Sequence, residues 1–493
     1  MSEWNRDTAE AALLRRINYE TYPAAGGGQA YRLKAITQLL EQLGRPHLAL
    51  PFIHVAGTKG KGSTATMIAS LLKEAGYRIG LYTSPHLHRI EERIAIDGRP
   101  IDGASFARAV AAVCEETAKL DAAQEAGKWS GTPPTYFDML TATAWFAFQQ
   151  ARLDVAVMEV GLGGRLDSTN AAIPCLSVIS AISLDHVRQL GATLDRIAFE
   201  KAGIIKPGVT VVSARQNPLA AASYVNKPTA ARRLMGVWRR FFGESTPPRE
   251  IDQVSFPACS ALNWRLAEGR SLPALPAEIT DVQLGMAGLH QVGNAALAVT
   301  AVGIALSQAL GRVGLSPRGG LNVACDPHRF PGESNSCKPH RPSSSMSRTT
   351  SRRSKPLLAT LALERWPAAR TALIAISEDK DYRGILKQLA GRFDRYLLTR
   401  FTENPRALSP EALAFELRGL QAVADAGPTS TEPGAASSAI IQTAETPAEA
   451  LRMLRQSVAH DELVVMTGST FLIAEVRQQL LESPLGNGRS IGH

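Results

Sequence analysis

Apolar and polar positions change period repeatedly along this chain. Between Pro51 and Gly208, short apolar runs alternate with longer stretches of helical period. "FIHVAG" reads as a strand, "STATMIASLLKEAG" as a helix with Gly76 near its C-terminal end, and "YRIGLYTS" as the next strand. "FDMLTATAWFAFQQAR" predicts a helix, followed by the strands "DVAVMEV" and "CLSVISAIS", the helix "LDRIAFEKAGII" and the strand "VTVVSA". Such alternation is the signature of a mostly parallel sheet with helices packed on it.

The pattern degrades after Ala214 and resumes at "HQVGNAALAVTAVGIALSQAL", a helix whose small residues predict close packing. A second alternating run follows: "ARTALIAIS", "RGILKQLAGRF", "RYLLTR", "PEALAFELRGL", "PAEALRMLRQSV", "ELVVMTG" and "TFLIAEVRQQLL". It predicts a separate, smaller α/β domain with "DAGPTSTEPGAASS" as an internal loop. The expected division is 1–320 and 321–493. Between the two runs, Arg341–Pro356 carries Met346 as its one large apolar residue and is otherwise serine, threonine, arginine, lysine and proline.

With 493 residues, 45% of them hydrophobic, the chain can build two or three domains with sizeable cores. No apolar run reaches the 18 or so residues of a membrane span, and "MSEWNRDTAE" has no leader-like core, so a cytoplasmic protein without a membrane partner is expected. The five cysteines form no CxxC pair, which suits a reducing compartment and argues against structural zinc. Net charge is +9, yet Arg312–Lys355 alone holds nine Lys/Arg against two Asp/Glu, leaving +2 for the rest. The basicity is therefore local, and without interleaved aromatics it gives no reason to expect a nucleic-acid partner.

Candidate chemistry begins at "VAGTKGKGST", set between a predicted strand and a predicted helix. Backbone N–H groups of Gly57, Gly60 and Gly62 and the helix N-terminus would converge on a phosphate, with Lys61 neutralising its charge. The spacing departs from the common G-x-x-x-x-G-K-[ST] loop, since Gly62 separates Lys61 from Ser63. Three polar residues stand at strand ends: Ser84 after "IGLYT", Glu159 closing "DVAVME" and His186 after "VISAISLD". Taken singly, they read as a helix cap, an ion-pair partner and a loop histidine. Together, at the edge where α/β sheets bind ligands, they could surround a hard cation bound to ATP, with Glu159 and His186 on neighbouring strands beside the phosphate loop. The glycine-rich "EVGLGGRLDSTN" follows a buried strand and is placed to bring its backbone close to a ligand.

"HVAGTKGKGST", "YTSPHL", "MEVGLGGRLDSTN", "SLDH", "FEKAGIIKPG", "HQVGNAALA", "SEDKDYRGIL", "TRFTENPRA" and "TGSTFLIAEVR" occur in that order. In this the chain resembles the folylpolyglutamate synthase and dihydrofolate synthase family of the Mur ligase superfamily. "INYE" and "YRLKAITQLLEQLG" extend the likeness toward the N-terminus. The resemblance implies a P-loop-type ATP-binding domain with a mostly parallel sheet, followed by a smaller Rossmann-like α/β domain. It implies ATP and Mg2+ as cofactors and folate or dihydropteroate with L-glutamate as partners, in a monomer. The reaction would be ATP-dependent amide formation through an acyl phosphate; a murein-precursor ligase and a catalytically impaired homologue are the alternatives.

Residue by residue, the resemblance implies that Gly57, Thr58, Lys59, Gly60, Lys61, Gly62 and Ser63 hold ATP phosphates, and that Asn294 contacts ATP. Ser84 and Glu159 would bind one magnesium ion, and His186 a second together with Lys201, carbamylated as is typical of the family. Adding CO2 to a neutral lysine amine turns a repelling cation into a carboxylate that suits Mg2+. Lys61, Lys201 and His186 would carry the catalytic charge work. Thr135, Tyr136, Phe137 and Asp138, with Leu166, Asp167 and Ser168, resemble segments that hold the pteroate part.

One family element is missing. Where a W-P-G-R-like segment and a strand ending in D-x-A-H-N belong, "RFPGESNSCKPHRPSSSMSRTTSRRSKPLLATL" stands, of which "FPG" and "LLATL" fit. Permitted codons for Ser343–Lys355, regrouped from the last base of Pro342 through the first two of Pro356, spell V-V-V-D-V-A-H-N-V-A-S-I-E-A. The same shift yields R-I-E from Gly332, Glu333, Ser334 and Asn335, completing F-P-G-R-I-E. Residues 333–356 are therefore expected to be out of frame, and the chain as written is expected to bind ATP poorly.

Overall fold

The computed structural model describes residues 4–19, 33–225, 234–236, 261–265, 274–275, 278–283, 289–310, 370–378, 380–402, 404–425, 439–457 and 462–482. They belong to two compact units, the first described up to Leu310 and the second from Arg370 onward. The expected boundary at 320 and the serine-arginine tract lie outside the described residues.

The first unit is built on an eight-stranded sheet of order β4-β3-β2-β5-β1-β6-β7-β8. β1 (Phe52–Ala56), β2 (Ile79–Tyr82), β5 (Val155–Glu159), β6 (Leu176–Ile179), β7 (Thr210–Ser213) and β8 (Leu234–Gly236) run parallel. β3 (Ile94–Ile96) and β4 (Arg99–Pro100) add an antiparallel edge. Every residue of β1, β2, β5 and β6 is buried, as a sheet covered on both faces requires. On one face, Ile53, Val55, Val155 and Val157 meet α3 (Lys61–Glu74) and α9 (Leu289–Ala305). On the other, Phe52, Tyr82, Ala156 and Met158 meet α1 (Arg6–Leu14), α2 (Leu33–Gln42), α4 (Gly103–Glu125) and α5 (Tyr136–Gln150). The short α6 (Val187–Leu190), α7 (Leu194–Lys201) and α8 (Pro218–Val225) are further helices among the described residues of this unit. β9 (Ala261–Arg265) and β10 (Glu278–Gln283) form a separate antiparallel pair.

The second unit has a four-stranded parallel sheet of order β13-β12-β11-β14. Its strands are β11 (Arg370–Ile374), β12 (Arg395–Leu398), β13 (Ile440–Thr443) and β14 (Leu463–Thr467). Alternate residues decide the faces. Ala372, Ile374, Tyr396 and Leu398 pack with α10 (Tyr382–Leu389) and α11 (Pro410–Asp425); Leu373 and Leu397 pack with α12 (Pro447–Ser457) and α13 (Thr470–Glu482).

Several elements were not legible in the apolar pattern, among them three strands. β13 is a half-exposed edge strand, so it lacks the unbroken apolar run of a central strand. β3 and β4 are only three and two residues long. One expectation needs correction. Glu159 and His186 do not stand on neighbouring strands: β1 lies between β5 and β6, and His186 falls seven residues beyond the end of β6, at the N-cap of α6. Lys201 is buried at the C-terminal end of α7.

Candidate active site

β1 is the middle of the parallel sheet, and its C-terminal end turns directly into the glycine-lysine loop. Gly57 has φ 147°, and a Cβ there would lie 2.0 Å from Ser180 Oγ. Gly60 caps α3 with φ 76°, and its missing Cβ would meet Asn294 Oδ1 at 2.3 Å. Both positions therefore require glycine, for close passage and for backbone conformation alike. The loop is also fixed by the segment after β6: Thr58 and Lys59 N–H groups donate to the Ala181 carbonyl at 2.9 and 3.0 Å. The Thr58 hydroxyl donates to the Ser183 carbonyl at 3.1 Å and accepts from the Ser183 N–H at 3.1 Å.

Opposite charges gather at this loop. Lys61 Nζ lies 3.9 Å from Glu159 Oε1, and both side chains are largely buried. The other carboxylate oxygen accepts the Ser84 N–H at 3.1 Å. Gly62 approaches the same group, its missing Cβ 3.3 Å from Glu159 Oε2. Lys59 Nζ lies 3.6 Å from Asp185 Oδ2, the residue before His186. His186 has a left-handed backbone, is exposed, and donates its N–H to Asp185 Oδ1 at 3.1 Å. Asn294, on α9, also donates from Nδ2 to Gln291 Oε1 at 2.8 Å. Asp185 and Gln291 escaped the sequence reading; only the adjacency of Asp185 to His186 in "SLDH" could have pointed to it.

Lys201 enters the loop from behind. Its amine donates to the Gly57 carbonyl at 2.7 Å. Burial, reinforced by the positive Lys61, lowers its pKa to about 7, with Asp185 and Asp167 opposing. An amine in that range is substantially neutral at neutral pH, the form that can take up CO2.

The loop after β5 is organised differently. Asp138 and Thr135 form a capping box at the start of α5, with the Thr135 N–H and hydroxyl donating to Asp138 Oδ2 at 2.9 and 2.8 Å. The Ser168 hydroxyl donates to the other Asp138 oxygen at 2.7 Å, tying the loop to α5. Burial raises the Asp138 pKa and these bonds oppose it. Asp167 accepts the Leu162 N–H at 2.9 Å, the Thr169 N–H at 3.1 Å and the Thr169 hydroxyl. Burial lifts its carboxyl to about 6 against those bonds. Tyr136 is buried, and Phe137 faces Tyr82 with ring centroids 6.0 Å apart. Leu166 lies between Arg165, which pairs with Glu200 at 2.9 Å, and Asp167. Of the residues expected to hold the pteroate part, Asp138, Asp167 and Ser168 thus spend their polar atoms on the shape of the loop.

Among the described residues, no group of three or more His, Cys, Asp or Glu side chains could hold a metal ion. Glu159 and Ser84 nevertheless offer hard oxygen donors of the kind Mg2+ prefers, next to a loop cradle that a phosphate would share with it. Lys201 as a free amine is a hydrogen-bond donor and would fit a metal only as its carbamate.

A parallel sheet whose middle strand feeds a glycine-lysine loop into a helix, with a carboxylate on the adjoining strand, defines the class of phosphate-loop α/β proteins. No family model matches the chain. It is 32% identical over 458 residues to the folylpolyglutamate synthase of Lacticaseibacillus casei, covering 91% of this chain and 94% of that one. It is 30% identical over 478 residues to the dihydrofolate synthase/folylpolyglutamate synthase of Bacillus subtilis, covering 96% and 98%. A structure of Mycobacterium tuberculosis folylpolyglutamate synthase complexed with ADP and AMPPCP superposes with a TM-score of 0.72 at 27% identity, covering 98% of this chain and all of that one. The chain belongs to the folylpolyglutamate synthase/dihydrofolate synthase family.

Proposed function

We infer that the protein is an ATP-dependent carbon-nitrogen ligase that adds L-glutamate to a folate, to dihydropteroate, or to both. The observation that carries this reading is the Lys61–Glu159–Ser84 cluster against Gly62 at the N-terminus of α3. In the first step the acceptor carboxylate takes the γ-phosphoryl group of ATP and ADP leaves. In the second, the glutamate amine attacks the acyl carbon, the C–N bond forms, and phosphate and a proton depart.

The chain's own residues hold and neutralise. N–H groups of the Gly57–Ser63 loop receive phosphate oxygens, and Lys61 exchanges Glu159 for the transferring group. Asn294 borders the loop at Gly60 and is placed to touch the nucleotide. Ser84 and Glu159 would hold one Mg2+, and His186 with carbamylated Lys201 a second; the ions would spread the charge of phosphoryl transfer. Thr135–Asp138 and Leu166–Ser168 would shape the pteroate site. A monomer in the cytoplasm, with its domain boundary near residue 320, completes this reading.

A second reading has its own support. The absence of a D-x-A-H-N motif, with Arg341–Pro356 in its place, favours an impaired protein as written. ADP release, measured with L-glutamate and each pteroate acceptor, tests both. The written chain should show little activity, and a chain with the alternative frame across Gly332–Pro356 should show full turnover. No turnover by the repaired chain with any acceptor would end the ligase reading, and a coding sequence unable to spell the shifted motif would end the frame explanation.

A further inference from the structure

β1 contains one residue that its surroundings do not favour. His54 sits in the middle of a parallel sheet, paired with Met158 and Ser177, and is completely buried. Its ring packs on Phe52 with centroids 5.6 Å apart. Nε2 lies 2.8 Å from the Thr169 hydroxyl, while Nδ1 has no hydrogen-bond partner among the described residues. An apolar side chain would suit such a place better unless that one contact matters.

The direction of the contact follows from the proton count. The Thr169 hydroxyl has a single proton and gives it to Asp167 Oδ1. It must therefore accept from His54, which fixes the neutral ring with its proton on Nε2. The chain runs His54 Nε2–H to Thr169 Oγ1–H to Asp167, whose second oxygen holds the Leu162 N–H at 2.9 Å. One end lies on the strand that leads into the phosphate loop; the other spans the first half of the glycine-rich loop after β5.

We propose that His54 is a positioning residue of the reaction: through the Thr169 hydroxyl it orients Asp167, and so sets the shape of the Leu162–Thr169 loop that receives the pteroate acceptor. The proposal rests on the functional reading above for the identity of that acceptor. His54 itself touches no substrate. Its donated proton prevents the Thr169 hydroxyl from turning away from Asp167, and the buried carboxylate keeps all three of its donors. Without it the Leu162 N–H loses a well-placed acceptor and the loop loosens while β1 and α3 keep their packing.

The test uses the full chain with His54→Phe, which keeps a ring of similar volume, Thr169→Val, the double variant, and His54→Gln, whose amide can donate from a similar position. Amide exchange at Leu162 and in α3, and equilibrium binding of dihydropteroate, are measured. His54→Phe and Thr169→Val should each weaken dihydropteroate binding about tenfold, the scale of one lost buried hydrogen bond. Leu162 exchange should rise with α3 unchanged, the double variant should be no worse than either single one, and His54→Gln should restore both readouts. Additive losses, equal loosening of α3, or unchanged Leu162 exchange would overturn the proposal. If His54→Phe does not fold, Thr169→Val against Thr169→Ser carries the same comparison. If the wild-type chain binds neither dihydropteroate nor a folate, the functional reading fails while Leu162 exchange still decides the positioning.

Discussion

The Gly57–Ser63 loop and the Gly161–Asn170 loop follow neighbouring parallel strands, β1 and β5, yet they are stabilised in opposite ways. In the first, the cations are held loosely, at 3.6 Å for Lys59–Asp185 and 3.9 Å for Lys61–Glu159, while backbone and glycines fix the shape. In the second, buried Asp167 accepts hydrogen bonds from its own loop, and Ser168 of the loop donates to buried Asp138 on α5. Loose ion pairs can be exchanged for a phosphate at little cost, whereas saturated buried carboxylates cannot leave their partners. One loop is built to change its charge partners and the other to keep its shape.

The sharpest way to break that contrast is at Lys201, which supports the first loop through Gly57. Lys201→Ala in the repaired chain should lower turnover on the order of a hundredfold or more, as loss of a charge-stabilising group does. Because the pKa of Lys201 is lowered to about 7, falling pH protonates the amine and blocks carbamylation. Bicarbonate should therefore raise initial rates in CO2-depleted wild type above pH 7, progressively less below it, and leave Lys201→Ala unaffected at every pH. Stimulation of the variant by bicarbonate would remove the modification from the mechanism.

Gly60→Ala should act next most strongly. The added Cβ meets Asn294 Oδ1 at 2.3 Å and the residue must keep φ 76°, so about 1–2 kcal/mol of stability should be lost. Calorimetric ADP binding and thermal melts should both worsen. Gly62→Ala, facing the end of Glu159 at 3.3 Å, should melt normally and lose mainly nucleotide affinity.

The smallest effect belongs to the second loop. Ser168→Ala removes one donor from buried Asp138, costing about 1–2 kcal/mol. It should raise the KM for the pteroate acceptor several-fold and leave that for ATP alone. Equal rises in both, read from initial rates of the repaired chain, would show that the two loops are not the separate devices described here.

The periodicity of the chain determined most of the first sheet and three strands of the second, because strands buried on both faces must be continuously apolar and their crossover helices amphipathic. The glycines and lysines that follow "FIHVA" marked the turn from β1 into α3, since backbone conformation and charge are properties of local sequence. Local sequence could not order the strands: β1 inserts between β5 and β6, which separates Glu159 from the His186 segment and places Lys61 against Glu159. Nor could it show that Lys201 is buried beneath Gly57, or that His54 reaches Thr169 across 115 positions of chain. Those facts depend on which faces pack together, and burial is what turns an ordinary lysine into a partly neutral amine and an ordinary histidine into a fixed donor.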